Sequence, residues 1–171
     1  MKTGTLHRHA IEVNVLMALF GSAWEAGLKP VREVDRNSIP LPSLYRQIDF
    51  SGLSDKLGAV SGTLNEKIAE LEVLTRDAAA TNTEKHFTKL LLDYCRLFGQ
   101  SVNALNRIYA GLHERSVESL VHKYSAADYE RDVAIFHEAS RQHKAAGALV
   151  GDLYGALETN DSERETMERH R

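Results

Sequence analysis

Apolar residues between positions 53 and 74 recur every three or four residues, and this spacing constrains the fold more than any other feature of the chain. The series is Leu53, Leu57, Val60, Leu64, Ile68, Leu71 and Leu74. Because an α-helix returns to the same face every 3.6 residues, these side chains form one stripe, close to a coiled-coil seam. The stripe predicts a long helix from about Ser54 to near Ala80. Gly58 and Gly62 weaken its early turns, so we expect a soft or broken first half.

Three further segments show helical periodicity. They cover residues 5–26, residues 87–112 and the stretch from residue 126 to about residue 157. The third predicted helix either ends near Gly111 or continues to Lys123. Three pairs have the capping-box spacing that marks a helix start. They are Thr63 with Glu66, an alternative start of the second helix, Thr81 with Glu84, and Ser125 with Asp128.

The order of these segments predicts an all-α fold, an antiparallel (up-and-down) four-helix bundle with long helices. We expect one domain over residues 1–158, since 171 residues suit a single core. Gly27 followed by Pro30 is a stop signal for the first helix. Residues 28–50 hold all three prolines and enough apolar side chains to form a long crossing loop packed on the bundle. Residues 159–171 are polar and charged, and they predict a disordered tail.

The first helix carries apolar residues on more than one face. One core needs only one apolar stripe on each helix, so the surplus predicts contact with a second subunit or a partner. The candidates for helix packing or an interface on this helix are Val13, Leu16, Phe20 and Trp24.

Gly147, Gly151 and Gly155 are spaced by four and lie on one ridge of the fourth predicted helix. Three glycines in one helix cost about 3 kcal/mol relative to alanine, so we expect a compensating contact. A smooth glycine ridge lets another backbone approach closely, and the three glycines are therefore candidates for helix packing or an interface. The alternative is a loose helix that ends early.

The sequence predicts no catalytic residue, no metal site and no cofactor. It has eight histidines, but neither Glu-x-x-His nor His-Glu-x-x-His occurs. Cys95 is the single cysteine and lies mid-helix, where a buried, unreactive thiol is the default. No phosphate-binding glycine loop is present. A net charge of −3 with no basic stripe argues against a nucleic-acid partner.

Residues 1–23 share some features with a signal peptide, since a basic start precedes an apolar stretch. Glu12 and Asn14 interrupt that stretch, which favours an ordinary first helix and a cytoplasmic protein. Secretion or export to the periplasm is the alternative. No window reaches the roughly 18–20 apolar residues of a membrane span, so we expect no membrane partner.

Our leading hypothesis is a helical interaction or structural module that self-associates, or docks another helical protein, through apolar helix faces. The alternative is a sensory or regulatory bundle that binds a small molecule or cofactor between its helices. Its candidate lining residues are Trp24, Tyr45, Tyr94 and Tyr109. A secreted or membrane-associated helical protein is a lesser alternative.

Overall fold

Four helices make up the fold of the described chain. The computed structural model describes the backbone of residues 3–34, 48–77, 80–117 and 124–169. Within these ranges it contains no strand. The helices are α1 (Thr3–Val34), α2 (Phe50–Leu74), α3 (Asn82–Ser116) and α4 (Ala126–Arg169). The helices pack against one another, and the predicted all-α four-helix bundle is confirmed.

Side-chain contacts between successive helices give the up-and-down topology. On α2 and α3, Ser54 bonds to Asn106, Ser61 to Asn103, and Glu72 to Arg96. Residue numbers therefore rise along α2 as they fall along α3, so the two helices are antiparallel. On α3 and α4, Tyr94 lies against Gly147 and Ser101 against His143. This pair is antiparallel too.

The third helix lies at the centre of the bundle. It packs against all three other helices, most extensively against α2 and α4. Its fully buried apolar side chains are Phe87, Cys95, Phe98, Val102, Ala104, Leu105, Ile108, Tyr109 and Leu112. Burial on this scale explains why its apolar stripe is the broadest in the chain.

Two of the three predicted capping pairs are confirmed, and the third, Thr63 with Glu66, lies inside α2. The Thr81 hydroxyl accepts the N–H of Glu84 at 3.2 Å, and the Glu84 carboxylate accepts the N–H of Thr81 at 2.8 Å. Ser125 and Asp128 form the same reciprocal pair, at 3.1 and 3.0 Å. Each pair satisfies backbone donors that a helix start leaves without partners.

The bounds of α2 and α3 differ from the prediction. Asp49, whose side chain accepts the N–H of Gly52, caps α2, so the helix begins at Phe50 and ends at Leu74. It runs without a break through its glycines, because one face remains packed along its length. The third helix continues past Gly111, where the ring of Tyr124 lies close to the backbone, and ends at Ser116.

The predicted stop at Gly27 and Pro30 is wrong, because α1 continues to Val34. Gly27 serves close packing instead of a left-handed cap. A Cβ atom at this position would lie 2.5 Å from the hydroxyl oxygen of Tyr109. That hydroxyl donates to the carbonyl oxygen of Ala23 at 2.7 Å and accepts the N–H of Leu28 at 3.1 Å. These buried bonds hold the last turns before Pro30 in place.

The crossing between α1 and α2 is therefore shorter than the predicted loop over residues 28–50. Leu28 is fully buried, and Ile48 and Phe50 pack on the core. Residues 35–47, which include Tyr45 and two of the three prolines, lie outside the described residues.

The fourth helix extends to Arg169, beyond the predicted domain end at residue 158. The backbone of residues 159–169 is helical, whereas the sequence predicted a disordered tail. Residues 163–169 are mostly Glu, Arg and Met, whose helix propensity is high even without an apolar stripe. Among the described helices, none combines the length and apolarity needed to cross a bilayer.

Replacing Gly27 with alanine is expected to destabilise the fold by about 1–3 kcal/mol, because the added Cβ forces the pinned ring of Tyr109 to move. Gly21 is the matched control. Nothing lies within 4 Å of a Cβ built there, so Gly21→Ala should stabilise the protein by up to about 1 kcal/mol. Urea unfolding measures both changes. Equal effects would show that Tyr109 does not restrict this position.

Candidate functional site

The inner face of α1 belongs to the core of the bundle. Val13, Leu16 and Phe20 are buried. The ring of Phe20 packs edge-on against Phe98, with centroids 5.3 Å apart, and also meets rings on α4. Trp24 is half-buried against the same core. The candidates that sequence reasoning placed on this helix therefore pack within the chain itself.

The outer face of α1 carries a second apolar stripe. Ile11, Val15 and Leu19 are 50%, 55% and 54% exposed, and their spacing of four aligns them along the helix. Ala18 and Ser22 also lie on this exposed face. We call Ile11, Val15 and Leu19 the outer stripe. An exposed row of large apolar side chains on a soluble helix usually marks an interaction surface.

Charges mark the two ends of the outer stripe. Arg8 lies one turn before it, and Glu25 lies beyond its other end; both side chains are exposed. Between these two residues α1 carries one more charged side chain, that of Glu12, which pairs with Lys67 of α2. The exposed face from residue 13 to residue 24 thus carries no formal charge.

Two grooves flank the outer stripe. One lies between α1 and α2 and has a volume of about 340 Å³. The other lies between α1 and α4, with a volume of about 360 Å³, and we call it the α1–α4 groove. Its lining residues are Ala10, Ile11, Val13, Asn14, Met17, Leu91, Tyr94, His143, Lys144, Gly147, Val150, Gly151 and Tyr154.

The predicted glycine ridge lies along the α1–α4 groove. A Cβ atom at Gly147 would approach the ring of Tyr94 to 3.0 Å, so this glycine makes room for an aromatic side chain. Nothing lies within 4 Å of a Cβ built at Gly151 or Gly155. Among the described residues, none places a second backbone tightly against the ridge, and the space beside Gly151 is open.

His143 is buried beside this groove, within hydrogen-bond distance of the Ser101 hydroxyl at 2.7 Å. Burial lowers the pKa of His143 below its usual value, and the nearby charge of Lys144 lowers it further. The imidazole is therefore neutral at neutral pH. Its ring also packs against those of Phe20, Tyr94 and Phe98.

A polar cluster joins the first two helices on the other side of α1. The Lys67 ammonium lies 2.7 Å from a carboxylate oxygen of Glu12 and 2.7 Å from one of Glu70. His9 is buried, and its Nδ1 lies 3.8 and 3.6 Å from those same two oxygens. Burial, and next the Lys67 charge, lower the pKa of His9.

The sequence search missed this cluster for an identifiable reason. It looked for Glu-x-x-His, whereas α1 carries the reverse order, His9-x-x-Glu12. These two residues lie on neighbouring positions of one helix face. Glu70 joins them only through the register between α1 and α2, which the sequence does not specify.

Cys95 is fully buried, as expected. Burial raises the pKa of its thiol to about 12, so almost none of it is thiolate at neutral pH. Since the thiolate is the nucleophile, this cysteine is chemically inert in the folded protein.

Comparison of the chain with models of protein families, with curated proteins and with solved structures found no match. The outer stripe, the grooves and the polar cluster are the features of this chain that bear on its function.

The lowered pKa of His143 predicts acid sensitivity. The unfolded chain binds a proton near pH 6.5 and the folded chain binds it only at lower pH. Stability is therefore complete above the unfolded pKa and falls as the pH drops through and below about 6.5. His143→Gln, which cannot titrate, should lose less stability between pH 7.5 and pH 5.5 in urea unfolding. The exposed His86→Gln is the control and should follow the native chain. If His143→Gln lost as much stability as the native chain over this pH range, His143 would not be the source of the acid sensitivity.

Proposed function

We propose that this chain is a helical interaction module that self-associates through the outer stripe of α1. The observation that carries the proposal is the exposure of Ile11, Val15 and Leu19 on a helix whose opposite face already fills the core. Half-burying such a side chain contributes about 1 kcal/mol, so three from each of two copies contribute about 6 kcal/mol. Association costs about 4 kcal/mol or more in lost translational and rotational freedom, so the outer stripe supports a weak, reversible dimer.

The end charges favour an antiparallel pair. With Val15 on the twofold axis, Ile11 of one copy faces Leu19 of the other, and Arg8 comes near Glu25 of the other. A parallel pair would instead place like charges together at both ends. A twofold dimer also uses one patch twice, which is the commonest arrangement in homo-oligomers.

Val15→Lys is the direct test. Val15 is 55% exposed and lysine favours helix more than valine, so the fold should persist. Sedimentation equilibrium over a concentration series should give a dissociation constant at least tenfold higher than for the native chain. The control is Val73→Lys on α2, where the side chain is 68% exposed and is not part of the stripe. A native chain that stays monomeric at millimolar concentration contradicts the proposal.

Charge reversal tests the orientation. Arg8→Glu and Glu25→Arg should each weaken self-association severalfold, and the double variant should recover much of the loss. Arg8 also lies 3.9 Å from Glu12 within the chain, so circular dichroism should accompany each measurement. Additive weakening in the double variant would rule out the antiparallel pair. It would not bear on the outer stripe itself, which Val15→Lys tests.

The α1–α4 groove supports a second candidate function, the binding of an amphipathic anion with an apolar body. Its volume of about 360 Å³ suits a small ligand, and its lining is mostly apolar. Lys144 is the charged residue in the lining, so a carboxylate or sulfonate head is the complementary group.

Anilinonaphthalene sulfonate is a suitable probe for this groove. Gly151→Leu places a side chain in the groove and should reduce probe affinity at least fivefold. Gly58→Leu is the control, because a Cβ built there also meets nothing within 4 Å. Val15→Lys should leave probe binding intact, which separates the two functions. Equal probe binding by Gly151→Leu and the native chain would eliminate the groove as the ligand site.

A further inference from the structure

The polar cluster between α1 and α2 has a feature that an ordinary ion pair does not explain. The side chain of His9 is 4% exposed, and its Nδ1 makes no hydrogen bond in the described structure. This nitrogen points at the carboxylate oxygens of Glu12 and Glu70 from a little beyond hydrogen-bond distance. Buried polar nitrogens nearly always have a partner, so an unpaired one beside two carboxylates is a candidate ligand for a cation.

The distances suit a metal ion better than they suit a hydrogen bond. Zinc binds histidine nitrogen and carboxylate oxygen at about 2.0–2.2 Å, so two ligand atoms of a tetrahedral site lie about 3.4 Å apart. The Nδ1 of His9 is 3.6 Å from Glu70 Oε2 and 3.8 Å from Glu12 Oε2. All three ligand atoms lie within 4.8 Å of one another. The two glutamate side chains are flexible, and they can bring their oxygens, which lie no more than 4.8 Å apart, to the separation that the ion requires.

Lys67 holds the position that the ion would take. Its ammonium contacts both carboxylates at 2.7 Å, which leaves the cluster with a net charge of about −1 beside a neutral imidazole. A divalent ion would compensate both carboxylates and would also bind the histidine nitrogen. The Lys67 ammonium carries one charge and makes no hydrogen bond to that nitrogen. The lysine stem is long and flexible enough to turn into solvent.

We propose that His9, Glu12 and Glu70 form a three-ligand site for a divalent transition-metal ion such as Zn²⁺, with Lys67 as a built-in competitor. The bound ion links α1 to α2 across the first half of α1. It therefore stabilises the bundle when present, and the lysine keeps the two helices joined when it is absent. The site does not depend on self-association, because its ligands lie between α1 and α2 and are not part of the outer stripe.

Titration calorimetry with Zn²⁺ tests the site, and Lys67→Met makes the test sharp. Removing the competitor should tighten Zn²⁺ binding at least tenfold, with one ion per chain. Glu70→Gln should weaken binding at least tenfold, and Glu70 is half-exposed, so this variant should fold. His9→Gln should abolish binding. Zn²⁺ should also raise the thermal midpoint of the native chain and of Lys67→Met, but not that of His9→Gln.

The control separates this site from adventitious binding by other histidines. His113 is exposed at the far end of α3, and His113→Ala should bind Zn²⁺ as the native chain does. Mg²⁺ at the same concentration should give no thermal shift, since it prefers oxygen ligands alone. Unchanged affinity in Lys67→Met, or native affinity in Glu70→Gln, would overturn the proposal and leave a structural ion cluster.

Discussion

The hydroxyl of Tyr109 fixes the first helix on the bundle, and the exposed features of the protein depend on it. It bonds to the carbonyl of Ala23 and to the N–H of Leu28, and only a glycine at position 27 leaves room for its ring. A helix whose two faces are both apolar has more than one way to pack, since either face satisfies the hydrophobic effect. Two buried, directional bonds to its backbone distinguish these orientations, because the other rotations would leave a tyrosine hydroxyl buried without a partner.

Contacts along α1 support the same rotation. In the middle of the helix, Phe20 lies among the rings of Phe98, Phe136 and His143. Towards its start, His9 and Glu12 meet Lys67 and Glu70 of α2. Hydrogen bonds, aromatic packing and ion pairs thus hold one orientation, and the outer stripe is the face left over.

Periodicity was sufficient to predict the fold, and local side-chain chemistry was sufficient to predict two helix starts. Both depend only on neighbours in sequence, as with the stripe from Leu53 to Leu74 and the box formed by Thr81 and Glu84. The same local reasoning failed at Pro30. A glycine followed by a proline is a valid stop signal for an isolated helix, but here tertiary bonds from α3 hold the turn that precedes the proline.

The rotation of α1 about its axis was not predictable in this way. Residues 13, 16 and 20 and residues 11, 15 and 19 both have helical spacing, so the sequence shows two stripes without saying which one is inside. The choice follows from Tyr109, 81 residues away from its bonding partner Leu28. The polar cluster depends on the same choice, since Glu70 reaches His9 only when that face of α1 turns toward α2.

The outer stripe and the polar cluster occupy adjoining faces of one helix, with Glu12 at the boundary. A carboxylate left free at this position would place a charge beside Val15 and oppose the close approach of a second apolar helix. Its ion pair with Lys67 instead draws it towards α2. The Lys67 contact lowers the pKa of Glu12, so the carboxylate remains ionised and attached to the cluster. The pairing that orders the seam between α1 and α2 therefore also keeps the exposed face of α1 free of charge, and any cation that replaces Lys67 there must do the same.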